Sequence, residues 1–139
     1  MPKVTSDEIC TIARKESFNK KINLIVVDYL QYLNDKIPKG GTNNDRIGLI
    51  TKNFKSLAGE LDCAVLLLSQ VNRKADDKPE IEHLRDSGNI EQDADLILIL
   101  SREDRAATKA ELAVKKAREG SAEDIIRLNF NPKTTKFNE

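Results

Sequence analysis

The chain has 139 residues, enough for a modest core, and no apolar run approaches the ~20 residues needed to span a bilayer. Charged residues make up 33%, but Lys+Arg and Asp+Glu stand at 23 each, so the net charge is zero and no bulk field announces nucleic acid or a membrane. Two widely separated cysteines lack metal-ligand spacing, and residues 1–20 are polar and mixed in charge, which argues against a zinc site and a secretory signal and fits reduced thiols in the cytoplasm.

In chain order, Thr5 and Glu8 have capping-box spacing, and Ile9, Ile12 and Ala13 share a face, which predicts a helix over residues 6–18. Residues 22–28, INLIVVD, read as a strand covered on both faces and closed by Asp28. Residues 34–44 are rich in Asn, Gly and Pro and predict a loop. The segment KGGT inside it lacks the spacing of a phosphate loop and reads as a plain turn. Asp45 is the expected cap of a second helix, with Ile47, Ile50, Phe54, Leu57, Ala58 and Leu61 forming one apolar stripe. Residues 63–68 predict a second buried strand, parallel to the first because a long crossover joins them.

A polar loop is expected over residues 71–92, then a third buried strand over residues 94–100 and an irregular charged segment over residues 101–110. Residues 111–116 and 124–130 flank a turn at Glu119–Ser121, and Ile126, Leu128 and Phe130 alternate with polar residues. That pattern predicts a β-hairpin, with a short final strand at residues 135–137. The fold class is α/β: parallel strands with crossover helices, followed by antiparallel strands, in one domain.

Four places could carry chemistry. Asp28 ends a buried strand, where open α/β sheets place their ligands and where nucleotide hydrolases hold a phosphate-bound magnesium ion. The alternative is a turn or capping acid. Gln70 closes the second strand, and its amide can both donate to a γ-phosphate and accept from a water; the alternative is a strand-end group satisfied by backbone. In HLRDSGNIEQDAD, residues 83–95, Arg85 could meet a phosphate and Gly88 admit one close to backbone N–H groups; a solvated loop is the other reading. His83 has no metal-ligand partner and reads as a surface residue. Lys115, Lys116 and Arg118 lie at the hairpin turn, where they either reach a neighbouring subunit or simply discourage edge pairing.

DYLQYL at 28–33, LAGELDCAVLLLSQVNR at 57–73, KPEIEHLRDSGNIEQDADLILILSR at 78–102, KKAREG at 115–120 and IRLNFNPKTTKF at 126–137 together resemble the replicative DNA helicases of the DnaB type. The resemblance covers nearly all the chain from Ile22 onward, and SGNIEQDAD is its most specific block. It implies a RecA-like core, a hexameric ring of helicase subunits, and ATP hydrolysis coupled to translocation on single-stranded DNA and duplex unwinding. By resemblance Asp28 is the Walker B acid that holds Mg2+, and Gln70 is the γ-phosphate sensor. Arg118 and Lys116 resemble the arginine finger and companion lysine that act on the next subunit's nucleotide. Arg85, Asp86 and Gly88 resemble the loop that holds the DNA backbone. Asp86 stands where the family usually has Glu, and His83 where it usually has Asp.

The family's Walker A loop and catalytic glutamate lie upstream of the Walker B strand, and neither is among the 21 residues before Ile22. The chain is therefore expected to be a C-terminal portion of a motor domain, without ATP hydrolysis of its own. In RecA-like sheets the Walker A strand lies between the strands matching residues 63–68 and 94–100. Its absence is expected to leave a rearranged three-stranded core or association-prone edges. Two other readings stand beside this one: another RecA-like ATPase, such as a recombinase or clock-protein relative, which SGNIEQDAD opposes, and a non-catalytic module that inserts its hairpin tip into an intact ring.

Overall fold

The computed structural model describes residues 4–71, 87–104, 106–122 and 124–138. The chain divides into two compact units, one formed by Met1–Gln70 with Leu84–Ala94, the other by Val71–His83 with Asp95–Glu139.

In the first unit, helix α1 (Ser6–Ser17) starts with the expected capping box: the Thr5 hydroxyl accepts from the Glu8 N–H, and the Glu8 carboxylate accepts from the Thr5 N–H. Strand β1 (Leu24–Val27) and a short 3-10 turn (Leu30–Tyr32) follow. In KGGT, the Gly41 N–H donates to the Pro38 carbonyl and Gly40 has φ +77°, the positive-φ third position that a type II turn requires. Helix α2 (Asn43–Leu61) begins one turn earlier than Asp45 suggested. Thr42 is the cap, and Asp45 sits at the third helical position and bonds back to it, so this too is a capping box, with Asp in place of Glu. Asp62 at φ 48° ends the helix in the left-handed conformation, and strand β2 (Ala64–Leu67) follows at once.

β1 and β2 pair in parallel, Leu24 with Ala64 through Val27 with Leu67. The expected crossover is therefore present. The core of this unit joins Cys10 and Ala13 of α1, Val27, Leu30 and Leu33, and the α2 stripe of Ile47, Ile50, Phe54 and Leu57, with Ile25, Val65 and Leu67 packed on it. Burying the Phe54 or Leu57 side chain is worth roughly 1.5–3 kcal/mol each.

Three expectations need correction. First, β1 and β2 are not covered on both faces: Leu24, Val26 and Leu66 are 54%, 54% and 50% exposed. An apolar run records what a strand can bury, and among the described residues the α2 side is the covered one. Second, residues 87–93 are not loop but helix α3 (Ser87–Asp93). It is docked on α2: the Asn89 amide donates to the Asn44 carbonyl and side chain, and Thr51 donates to the Asp93 carboxylate. Third, the strand expected at 94–100 does not extend the parallel sheet. Strand β3 (Leu96–Ser101) pairs antiparallel with β4 (Lys109–Ala117), so no three-stranded parallel core forms among the described residues.

The second unit is a four-stranded antiparallel sheet in the order β3-β4-β5-β6, with β5 at Ile125–Asn131 and β6 at Lys136–Asn138. β4 and β5 form the expected hairpin, and β6 is the expected short final strand. Phe130 and Phe137 pack with ring centroids 4.8 Å apart, and the Arg102 guanidinium lies 4.1 Å from the Phe130 centroid. The irregular segment expected at 101–110 is shorter than that, because β3 includes Ser101 and β4 begins at Lys109.

Candidate functional site

Parallel pairing brings the carboxyl ends of β1 and β2 to one end of the sheet. The Leu68 N–H donates to the Val27 carbonyl at 3.0 Å, and the Leu30 N–H donates to the Leu68 carbonyl at 2.8 Å. The backbone on either side of Asp28 is thus fixed to the end of β2. Asp28 is exposed, and its peptide to Tyr29 is cis. Gln70 is exposed and lies three residues beyond the last residue of β2.

One side chain links the two tips. Gln31, three residues after Asp28, donates from Nε2 to Ser69 Oγ at 2.8 Å and accepts at Oε1 from the Gln70 N–H at 3.2 Å. Sequence reading missed it. It stands in an otherwise apolar and aromatic stretch, LQYL, where a lone amide was the available signal.

The described residues contain no group of three or more His, Cys, Asp or Glu side chains arranged to hold a metal ion. Asp28 fits a narrower role. Mg2+ is commonly bound through one or two carboxylates together with substrate phosphates, so a single exposed acid at a strand tip suits a nucleotide-bound ion and not a free-standing metal site.

Of the expected DNA-contacting residues, Arg85 and Asp86, like His83, lie outside the described residues. Gly88 is in the first turn of α3, exposed, and a Cβ there would meet nothing within 4 Å. The hydrogen bonds from Asn89 and to Asp93 hold that helix in place.

In the second unit, β3 and β4 change register between Ile97 and Leu98: Ile97 faces Lys116 and Leu98 faces Val114. Lys115 is the extra residue of this bulge. A bulge re-aims the side chains around it, here just before the basic tip. Arg118 follows β4 directly. Its N–H donates to the Asp95 carbonyl at 2.8 Å, and its Nη1 lies 3.3 Å from Asp95 Oδ1. Both side chains are about half exposed, 52% and 59%, so water screens the pair and its strength is small. Asp95, Leu96, Ala117, Arg118 and Glu119 line a shallow depression. Asp95 closes the motif SGNIEQDAD, and its contact with Arg118 was not legible in the sequence.

The DnaB-like helicase C-terminal domain family matches residues 1–139. A probable plasmid replicative DNA helicase of Chlamydia muridarum is 39% identical over 121 residues, covering 84% of this chain and 26% of that protein. The replicative DNA helicase DnaB of Treponema pallidum is 35% identical over 138 residues, covering 99% of this chain and 31% of that protein. A solved structure of a DnaB-like replicative helicase, described with its interactions with primase, superposes with a TM-score of 0.83 at 28% identity, covering 96% of this chain and 35% of that one. The chain thus spans between a quarter and a third of the length of these curated relatives.

Proposed function

The chain belongs to the DnaB-like helicase C-terminal domain family, and from that membership we propose that it is the portion of a replicative helicase motor that carries the magnesium acid, the γ-phosphate sensor and the residues offered to a neighbouring subunit. The observation that carries this reading is the end of the parallel pair, where the Asp28 and Gln70 segments are joined by backbone hydrogen bonds and by Gln31.

In this proposal Asp28 would hold an ATP-bound Mg2+, which would supply positive charge to the phosphates. Gln70 meets the γ-phosphate or the attacking water through its amide. Arg118 and Lys116 stabilise charge on the nucleotide of an adjacent subunit in a ring. Gly88, with Arg85 and Asp86, contacts the backbone of single-stranded DNA. A cytoplasmic setting follows from the proposed replicative role; separately, no helix among the described residues is long and apolar enough to cross a membrane.

In this proposal the nucleotide site also needs a phosphate-binding loop, which is not among these 139 residues. Without a phosphate-cradling loop and its lysine, most anion contacts of the triphosphate are missing. The chain alone is expected to show no ATP turnover above its Asp28→Ala variant. Mixed with a polypeptide that carries the upstream part of a DnaB-type motor domain, it should restore turnover that depends on Asp28. Asp28-dependent turnover by the chain alone would refute the shared site. Restored turnover indifferent to Asp28→Ala would refute the role given to that acid. Binding to an intact helicase ring with inhibition, and no restored turnover, would instead establish a non-catalytic interaction module.

A further inference from the structure

Gln31 is given no role by the resemblance, yet its side chain spans the two strand tips. The parallel ladder ends at the Leu30–Leu68 hydrogen bond. Beyond it, Gln31 Oε1 accepts from the Gln70 N–H and Gln31 Nε2 donates to Ser69 Oγ. A carboxamide suits this task because it offers both donor N–H groups and an acceptor oxygen on a single planar group. The groups it meets are adjacent on the chain, so the pair of bonds fixes both the position and the direction of the backbone that carries the Gln70 side chain.

We propose that Gln31 is a positioning residue for nucleotide hydrolysis: it holds the Ser69–Gln70 backbone against the segment that carries Asp28, so that the Gln70 amide is presented at a fixed place beside that acid. This rests on the reading of Gln70 as the group that meets the γ-phosphate. The physical consequence is coupling. A shift of the Asp28 segment is passed to Gln70 through the Gln31 amide as well as through the backbone bonds at the end of the ladder.

Two kinds of variant separate this role from simple packing. Gln31→Leu keeps the bulk and loses both hydrogen bonds. Gln31→Glu keeps the acceptor for the Gln70 N–H, and the Ser69 hydroxyl can rotate to donate to its second oxygen. Amide hydrogen exchange of the isolated chain, read by NMR, should show the Gln70 N–H roughly three- to tenfold less protected in Gln31→Leu, as expected for loss of one hydrogen bond. Protection should return in Gln31→Glu, while the amides of Phe54 and Leu57 in α2 stay unchanged. Packing alone predicts the reverse order, with Leu equal to the parent and Glu worse, and that result would overturn the proposal.

The functional arm uses the complemented ATPase. Gln31→Leu should lower kcat and kcat/KM together, roughly three- to tenfold, and should add nothing in a Gln70→Ala background. If Gln70→Ala is harmful and Gln31→Leu is silent, the positioning role fails and the reading of Gln70 survives. If Gln70→Ala is itself silent, the reading of Gln70 fails and takes the positioning role with it.

Discussion

Gly48 is buried in the middle of α2, where a glycine costs ~1 kcal/mol of helix stability relative to alanine. On propensity alone Gly48→Ala should stabilise the protein. The structure argues otherwise. A Cβ built at Gly48 would lie 2.7 Å from Cγ, 2.8 Å from Nδ2 and 3.0 Å from Oδ1 of Asn89 on α3. Asn89 would have to swing away, breaking its hydrogen bonds to the Asn44 carbonyl at 2.9 Å and side chain at 3.1 Å. Two such bonds are worth about 1–3 kcal/mol together. Set against the propensity gain, the net change lies between about zero and a 2 kcal/mol loss. The sharper effect is local. α3 has seven residues, too few to hold a helix by itself, so with the Asn89 anchor lost and the Thr51–Asp93 bond left it should fray from its first turn while α2 remains. Hydrogen exchange by mass spectrometry should show lost protection over residues 87–94 and little change over residues 50–60, with urea unfolding giving the global cost. Asn89→Ala should release α3 in the same way. The double variant should be less destabilised than the two single effects summed, because the Cβ then has room. An α3 that stays protected in a Gly48→Ala protein made ~1 kcal/mol more stable would refute the reasoning.

Other outcomes can be checked directly. Thr42→Ala should cost ~1 kcal/mol by urea unfolding, as loss of a helix cap does. Hydrogen bonds from the Thr42 N–H and then its hydroxyl hold the Asp45 carboxyl below its ordinary value, so its contribution is complete above the usual aspartate range and lost as pH falls through the lowered value. Protection factors of the first-turn amides of α2, taken relative to the intrinsic rate at each pH, should therefore fall below about pH 4, and Asp45→Asn should remove that pH dependence. Cys10 is buried, and burial pushes its thiol upward, so a thiol reagent at neutral pH should modify Cys63 first and Cys10 only on unfolding. Val26 and Leu66 are exposed on one face of the parallel pair, so the chain should self-associate in light scattering, and replacing both by lysine should raise the monomer fraction without loss of helix signal. Unchanged association would assign it to another surface.

What was legible in the sequence follows from where each determinant sits. The stripe from Ile47 to Leu61 and the alternation around Ile126–Phe130 are local, and both elements formed where their periods placed them. α3 was missed because its cause is tertiary: one large apolar residue, Ile90, gives no period, while Asn89 and Asp93 find partners on α2 some 42 to 45 residues away in sequence. The sheet to which β3 belongs could not be read from ADLILIL, because an unbroken apolar run names neither its neighbour nor its covered face. Asp28 and Gln70 were located as strand-end polar groups; Gln31, which joins their segments, was visible only as an amide in an apolar stretch. The link from Asp95 to Arg118 likewise needed the antiparallel pairing before it could be seen.

The two sheets also differ in how far along the chain their partners lie. Leu24 meets Ala64 about 40 residues on, whereas Ala113 meets Ile125 after about 12. Closing the longer loop costs about 1 kcal/mol more in chain entropy. Antiparallel strands joined by short turns should therefore assemble early, and the parallel pair should wait until α2 has formed to span the gap. On a ribosome, where the amino-terminal end emerges first, the segment with the slower topology is the one that waits longest for its partner strand.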